Sequence, residues 1–152
     1  MNAGIDPISE RRPLGHTSLL THNRWTLVDR SADDLISEAF ERGLGVVNAA
    51  VFGGGILAAG PGRTTSYAYA PASPDLLRRI TLMEQACDRH GVPLAAAALH
   101  VSLRDPRITS TVVGLSRPER VEETLLLAST SITAELEAEL EALVPSAEQF
   151  LS

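Results

Sequence analysis

Two stretches of this chain carry residues whose types and spacing could do chemistry. The first is Ile108 to Leu127, ITSTVVGLSRPERVEETLLL, in which a β-prone run containing Ile108, Val112 and Val113 ends at Gly114 and gives way to a helical pattern. Ser116 precedes Glu119 at the spacing of a capping box, and Pro118 suits a first helical turn, where its missing N–H has no partner to lose. A helix that starts just past the carboxyl end of a parallel strand gathers unpaired N–H groups and the positive end of its dipole, a setting that suits a phosphate. Arg117 and Arg120 would add full charges to that field. The same pattern follows strands throughout α/β proteins, and two arginines on a first turn can simply be solvated, so spacing alone leaves both readings open.

The second stretch is the glycine-rich turn Phe52-Gly53-Gly54-Gly55, which closes the apolar run GVVNAAV at 45 to 51. A G-x-G-x-x-G fingerprint would need its third glycine where Ala58 stands, so a Rossmann-type site is not supported. The histidines, His16, His22, His90 and His100, are scattered without the spacing or the Cys and carboxylate partners of a zinc site, and no metal is expected. His100 reads as a helix residue satisfied locally, and His90 as a last-turn residue whose charge would meet the helix dipole. A serine-hydrolase elbow, G-x-S-x-G, is absent from the sequence. The lone cysteine, Cys87, sits in a helical pattern and reads as a core thiol, with no internal disulfide and no sign of secretion.

Elements must position these residues. The run from Thr17 supports a strand over 18 to 22, and Ser31 reads as the cap of a helix with Leu35, Ile36, Ala39 and Phe40 on one face. The apolar run at 45 to 51 has the pattern of a strand covered on both faces in a parallel sheet. The stretch from 56 to 74, rich in Gly, Ala, Pro, Ser and Tyr, is long for a connection and reads as a working loop. Ser73 and Pro74 begin a helix with Leu76, Leu77, Ile80, Met83 and Cys87 inside, and Pro93 begins another that Asp105-Pro106 stops. After the opening stretch Thr133 caps a C-terminal helix assigned to 133–152, with Leu136, Leu140 and Leu143 as its core stripe beside glutamates that read as a solvent face. The fold class is α/β with about three parallel strands and covering helices, in a single domain over 1–152 whose first 16 residues form a loosely specified edge. Three parallel strands make a narrow sheet with two open edges, an anomaly for a parallel sheet.

Composition narrows the partners. A formal net charge of -6 and a pI near 5.2 would repel nucleic acid and anionic membrane surfaces. No apolar run approaches the roughly 20 residues needed to span a bilayer, and the start lacks a signal-peptide core, so a cytoplasmic protein is expected. Small molecules or proteins are the expected partners.

Three segments in order, HNRWTLVDRS at 22 to 31, GVVNAAVFGGGILAAG at 45 to 60 and DPRITSTVVGLSRPERVEET at 105 to 124, resemble the carboxyl-terminal half of the aldo-keto reductases. The branch they look most like comprises the aldose 1-dehydrogenases acting on galactose, fucose and threo-aldoses. The resemblance implies a partial (β/α)8 barrel and a nicotinamide cofactor, NADP or NAD, with a sugar or other small carbonyl compound as substrate. It places Ala50, Phe52 and Gly54 against the pyrophosphate. Leu115, Ser116 and Arg120 would lie around the ribose phosphate, and Glu123 and Thr124 at the adenine. Asn2 and, where the family usually has an amide side chain, His22 would lie at the nicotinamide. The Tyr that commonly stacks on the nicotinamide would fall at Ala49. The family's proton-transferring Tyr, with its Asp, Lys and His, comes from the first four barrel strands, to which nothing in this sequence corresponds. The resemblance therefore assigns no catalytic residue here, and the chain by itself is expected to keep a cofactor wall without the acid. Two alternatives stand beside that reading. One is a non-catalytic subunit that pairs its open edges with a second copy or with a separate N-terminal half. The other is an unrelated small α/β binding domain with a complete sheet.

Overall fold

The computed structural model describes residues 17 to 150, so the N-terminal edge and Asn2 lie outside the described residues. In chain order the elements are β1 (Ser18–His22), α1 (Asp33–Glu41), β2 (Gly45–Ala49), a short α2 (Ile56–Ala59), β3 (Ser66–Tyr67) and β4 (Ala70–Pro71). They continue with α3 (Pro74–Arg89), α4 (Leu94–Leu103), β5 (Ser110–Val112), α5 (Glu119–Ser129) and α6 (Ala134–Glu141). β1, β2 and β5 are parallel, as expected, and lie in the order β1-β2-β5, while β3 and β4 pair antiparallel as a hairpin inside what reads from sequence as one long loop.

Register assigns the two faces of the sheet. Leu20 pairs with Val47, His22 with Ala49, and Ala49 with Val112, so these side chains share one face, and Thr21, Val46, Asn48 and Thr111 share the other. The second face is covered. Val46 packs with Trp25, Ile36, Ala39 and Ile108, bringing α1 onto the sheet. Asn48 Nδ2 donates to the Trp25 carbonyl and to Ser102 Oγ, each at 2.9 Å, and Ser102 Oγ lies 2.7 Å from Thr111 Oγ1, which ties α4 to β2 and β5. The first face is open, with Leu20 62% and Val112 49% exposed. β2 itself is buried or half-buried along its whole length, whereas its neighbours β1 and β5 expose Leu20 and Val112 on the first face, the concave side of a barrel segment on which no helix packs.

Most of the apolar core lies among the helices. Ile56 and Leu57 of α2, Ile80 and Met83 of α3, Ala96 to Ala98 of α4 and Leu136 of α6 form one cluster. The alanines of α4 make this possible by letting neighbouring backbones approach, and burying their partners at about 25 cal/mol per Å² of apolar surface supplies the driving force. Cys87 is inside this cluster, where burial pushes its thiol up to about 11 and leaves it uncharged.

Three local expectations are corrected. Helix α1 starts after Ala32 without a side-chain cap, and the Ser31 N–H instead donates to Asp29 Oδ1 at 2.8 Å, an Asx-type turn that draws Ser31 out of the cap position. On α1 the buried stripe is Ile36 and Ala39, whereas Leu35 and Phe40, each 51% exposed, flank it. Helix α6 ends at Glu141 rather than running on, since Pro145 cannot donate within a continuing helix, and a short 3-10 turn, Ala147–Phe150, follows. The expected caps at Ser73 and Thr133 do form, their side chains accepting from the Leu76 and Leu136 N–H groups.

Candidate functional site

The carboxyl ends of β1, β2 and β5 lie side by side, and the chain leaves the first two through left-handed residues. After β1 comes Asn23 at φ 60, its N–H donating to the Ala49 carbonyl at 3.3 Å. After β2 comes Ala50, also at φ 60, whose carbonyl accepts from Gly53 at 2.9 Å. The turn Gly53–Gly55 then runs through φ values of 58, 78 and 110, a path that needs residues without a Cβ. A bare, partly exposed backbone thus stands at the end of the central strand.

The β3–β4 hairpin folds back onto this turn. The Ala68 N–H donates to the Gly53 carbonyl at 3.1 Å, and the Tyr67 ring lies so close that a Cβ on Gly53 would fall 2.4 Å from it. Tyr67 is itself anchored, with its hydroxyl 2.9 Å from Thr26 Oγ1 and donating to the Asn23 carbonyl at 3.2 Å. Burial pushes its phenol well above the ordinary value, so it serves as a neutral hydrogen-bonding post and not as an acid. The two residues at the tip, Ala68 at φ 48 and Tyr69 at φ 72, both adopt left-handed backbone. This is the geometry of a type I′ turn, which asparagine and glycine ordinarily fill. For residues such as these it costs about 1–2 kcal/mol each. Tyr69 stacks on His22 with ring centroids 5.9 Å apart and planes 11° from parallel, yet remains 80% exposed. The other side of the imidazole is fixed by Asn23, whose Nδ2 lies 3.1 Å from His22 Nδ1.

Beside this, Val113 and Phe52 pack against the cluster of Val51, Leu99 and Ala128, which holds the exits of β2 and β5 together. Leu115 and Ser116 are exposed in the connection to α5. The capping box does not form. The N-cap is Pro118, already in helical conformation at φ -56 and ψ -37, so no side chain caps the helix and Ser116 stays outside its first turn. Among the described residues neither Arg117 nor Arg120 has a carboxylate partner, and both are exposed. Glu123 is exposed, and the Thr124 hydroxyl donates to the Arg120 carbonyl of its own helix at 2.7 Å. The strand exits therefore gather His22, Ala50, Phe52 and Gly54, with Leu115 and Ser116 beside them, while Arg120, Glu123 and Thr124 lie along α5. Tyr67, Tyr69, Asn23 and Thr26 escape sequence reasoning, although two tyrosines in the otherwise small and polar run at 63 to 73 were a signal of an ordered strap.

A cavity of about 660 Å³ lies elsewhere, between α4, α6 and the residues that follow β1. Its cations already have partners: Arg104 pairs with Glu137, and Arg107 with Asp105 at 2.7 Å and Asp33 at 2.8 Å. His100 lines it, and the expectation that its ring is satisfied locally is corrected. Neither ring nitrogen reaches hydrogen-bond geometry, despite the nearby Leu127 and Ala128 carbonyls, and burial holds its pKa below the ordinary value. Among the described residues no three His, Cys, Asp or Glu side chains gather as a metal site, and no helix is long and apolar enough to cross a membrane.

Among the described residues, the non-glycine positions with left-handed backbone are Asn23, Ala50, Ala68 and Tyr69, and all four belong to the strand exits and the strap over them. The aldo/keto reductase family model matches residues 16 to 145. The chain belongs to this family. It is 34% identical over 117 residues to pyridoxal 4-dehydrogenase of Microbacterium luteolum, covering 76% of this chain and 34% of that protein. It is also 34% identical over 124 residues to D-threo-aldose 1-dehydrogenase of a Pseudomonas species, covering 80% of this chain and 38% of that protein. The chain thus spans little more than a third of the length of these relatives. Structures of an aldo-keto reductase from Bacillus halodurans align with TM-scores of 0.66 in its holo form and 0.67 in its apo form, at 18% and 19% identity. The alignments cover 88% and 86% of this chain and 44% of that protein, and they show the fold to be a segment of a (β/α)8 barrel.

Proposed function

We propose that this aldo/keto reductase chain forms the nicotinamide-cofactor wall of an oxidoreductase that acts on an aldose or another small carbonyl compound. The observation that carries the reading is the concentration of left-handed, non-glycine backbone at the carboxyl ends of the strands. Strain of this kind persists where a site demands it, and the carboxyl face of such a barrel is where its sites lie. The residues fit a dinucleotide. The glycine turn after Phe52 offers main-chain groups to a pyrophosphate, and Ala50, Phe52 and Gly54 are assigned to it. Ser116 and Arg120, with Leu115, are assigned to the ribose phosphate, where exposed arginines at a helix start favour an anion. Glu123 and Thr124 are assigned to the adenine and His22 to the nicotinamide. The bound cofactor would supply hydride chemistry, and these residues hold and orient it. A cytoplasmic setting accords with the buried, reduced Cys87.

The test is a titration of the purified chain with NADPH and NADH, following cofactor fluorescence, with Arg120→Ala alongside. Saturable binding that Arg120→Ala weakens supports the reading, with NADPH losing more than NADH if the guanidinium meets a 2′-phosphate. A flat titration with both cofactors overturns it. One observation favours a second reading, association through the open face: Leu20 and Val112 stand exposed on a sheet whose β1 and β5 edges have no neighbouring strand among the described residues. Sedimentation equilibrium decides it, since a strictly monomeric chain would exclude self-association.

A further inference from the structure

The cavity between α4, α6 and the residues that follow β1 is separate from the strand exits, and none of the residues assigned to the cofactor lines it. At about 660 Å³ it falls in the size range of small-molecule sites. Leu27, Ala97, Val101, Ile132 and Leu140 give it apolar walls, which suit a mostly apolar ligand. Its charges are already balanced. Arg30 lies 3.4 Å from Glu141, Arg104 pairs with Glu137, and Arg107 pairs with Asp105 at 2.7 Å. An ion entering here would lose its hydration and would have to break one of these pairs to gain a counter-ion. The lining therefore selects an uncharged ligand.

One polar demand is left unmet. Trp25 is 8% exposed, and its indole Nε1, an N–H that can only donate, is buried without an acceptor. The residue is held where it stands, because its carbonyl accepts from Asn48 at 2.9 Å and the guanidinium carbons of Arg30 and Arg107 each lie 4.9 Å from the ring centroid. Turning the N–H to solvent would disrupt these contacts. His100, on the α4 wall of the same cavity, likewise has both ring nitrogens buried and unbonded. Buried polar groups in native proteins are nearly always satisfied, so two unsatisfied residues on the wall of one cavity point to a ligand that satisfies them.

We propose that this cavity is a binding site for an uncharged, mostly apolar small molecule that carries a carbonyl oxygen, and that Trp25 Nε1 donates to that oxygen. His100, kept neutral by burial, adds a second bond as donor or acceptor. The ion pairs Arg30–Glu141 and Arg104–Glu137 join α6 to the rest of the lining, so they hold the walls around the ligand without contributing net charge to it. This site shares no residue with the cofactor wall and stands or falls apart from it.

Trp25 is the chain's one tryptophan, so its indole N–H gives a single, unambiguous magnetic-resonance signal. The experiment titrates the isotope-labelled chain with methyl benzoate, propylbenzene and benzoate, which share a benzene ring but carry a neutral ester, no acceptor and a full negative charge. Methyl benzoate should move the Trp25 indole signal downfield and saturate. Propylbenzene should bind about 5- to 10-fold more weakly without that shift, and benzoate more weakly still. In Trp25→Phe, followed by calorimetry, the preference for methyl benzoate over propylbenzene should disappear. Ala138→Phe, which sets a ring into the cavity from α6, should abolish methyl benzoate binding in a chain that circular dichroism shows to be folded. No shift with methyl benzoate up to its solubility limit, equal affinity for propylbenzene, or tighter binding of benzoate would each overturn the inference in the parent chain alone. Undiminished binding to folded Ala138→Phe would place the ligand elsewhere and overturn it too, and a preference that persists in Trp25→Phe would remove Trp25 as the donor.

Discussion

Replacing Gly53 by alanine tests how the glycine turn after β2 is held. The added methyl would stand 2.4 Å from Tyr67 Cε2 and 2.6 Å from Cδ2, well inside contact distance. The ring cannot swing aside cheaply, because its hydroxyl is bonded to Thr26 and to the Asn23 carbonyl and its face lies against Phe150. Two costs therefore add. Alanine at φ +58 costs about 1–2 kcal/mol for the left-handed backbone. Forcing a methyl into a packed site costs about 1–3 kcal/mol more. The sum, about 2–5 kcal/mol, corresponds to a fall in melting temperature on the order of 5–15 °C for a chain of this size. Gly43→Ala is the control, since Gly43 also has positive φ, +71, but nothing within 4 Å of an added Cβ, so it should lose about 1–2 kcal/mol only. Melts followed by circular dichroism compare the two. In a double-mutant cycle, Tyr67→Ala should remove most of the extra cost of Gly53→Ala, giving a coupling of roughly 1–3 kcal/mol. Equal melting temperatures for Gly53→Ala and Gly43→Ala, or strict additivity with Tyr67→Ala, would refute the argument that the ring holds the turn.

Other predictions concern the covered face of the sheet. Arg107 donates to both carboxylate oxygens of Asp105, to Asp33 and to Ser37, and its guanidinium lies 4.9 Å from the Trp25 ring centroid. Arg107→Ala should cost about 3 kcal/mol in urea unfolding, and Arg107→Lys should recover only part of that because an ammonium lacks the planar fork. Asn48→Ala strips hydrogen bonds from the buried Trp25 carbonyl and from Ser102, and should cost about 2–3 kcal/mol, whereas an unchanged urea midpoint would show that the ties between α4 and the sheet are dispensable. His100 supplies a pH dependence. Burial lowers its pKa from 6.5, so between the folded value and 6.5 the unfolded chain binds more protons. Its contribution is present above about pH 6.5 and is lost as pH falls through that window, so His100→Gln should flatten the stability profile there.

Sequence reveals this chain unevenly, for reasons visible in particular residues. The three strands and long helices are legible because period and cap signals agree, as at Ser73 and Thr133. The capping box at Ser116 failed because Pro118, read as the first helical residue, is instead the N-cap, which places Ser116 outside the helix start. Phe40 and Leu35 fit an apolar face by spacing, but a helix of nine residues buries a narrower stripe. Apolar runs report burial without reporting what covers each face, and so GVVNAAV did not reveal that one side of the sheet is open. The strap was the least legible part. Neither Ala68 nor Tyr69 is a residue that local propensity assigns to a tight hairpin turn, and its anchors, Thr26 and Asn23, are about 40 positions away along the chain.

Conformation and side chain divide the work at this site. Where three successive residues must run through positive φ, at 53 to 55, the chain uses glycine. Where left-handed backbone must also present a side chain, it accepts Asn23 and Tyr69 at φ 60 and 72. Asn23 shows what the strain secures. Its amide nitrogen, 3.1 Å from His22 Nδ1, is a donor only and so favours the tautomer with the proton on Nε2, on the side facing Tyr69. His22 then offers an N–H donor at the strand end. Asn23→Asp replaces that donor with an acceptor and should move the proton to Nδ1, reversing the polarity of the ring. Nitrogen chemical shifts of the His22 ring report the tautomer directly. An Nε2–H form that persists in Asn23→Asp would show that Asn23 does not set it, and that the left-handed turn after β1 serves the backbone alone.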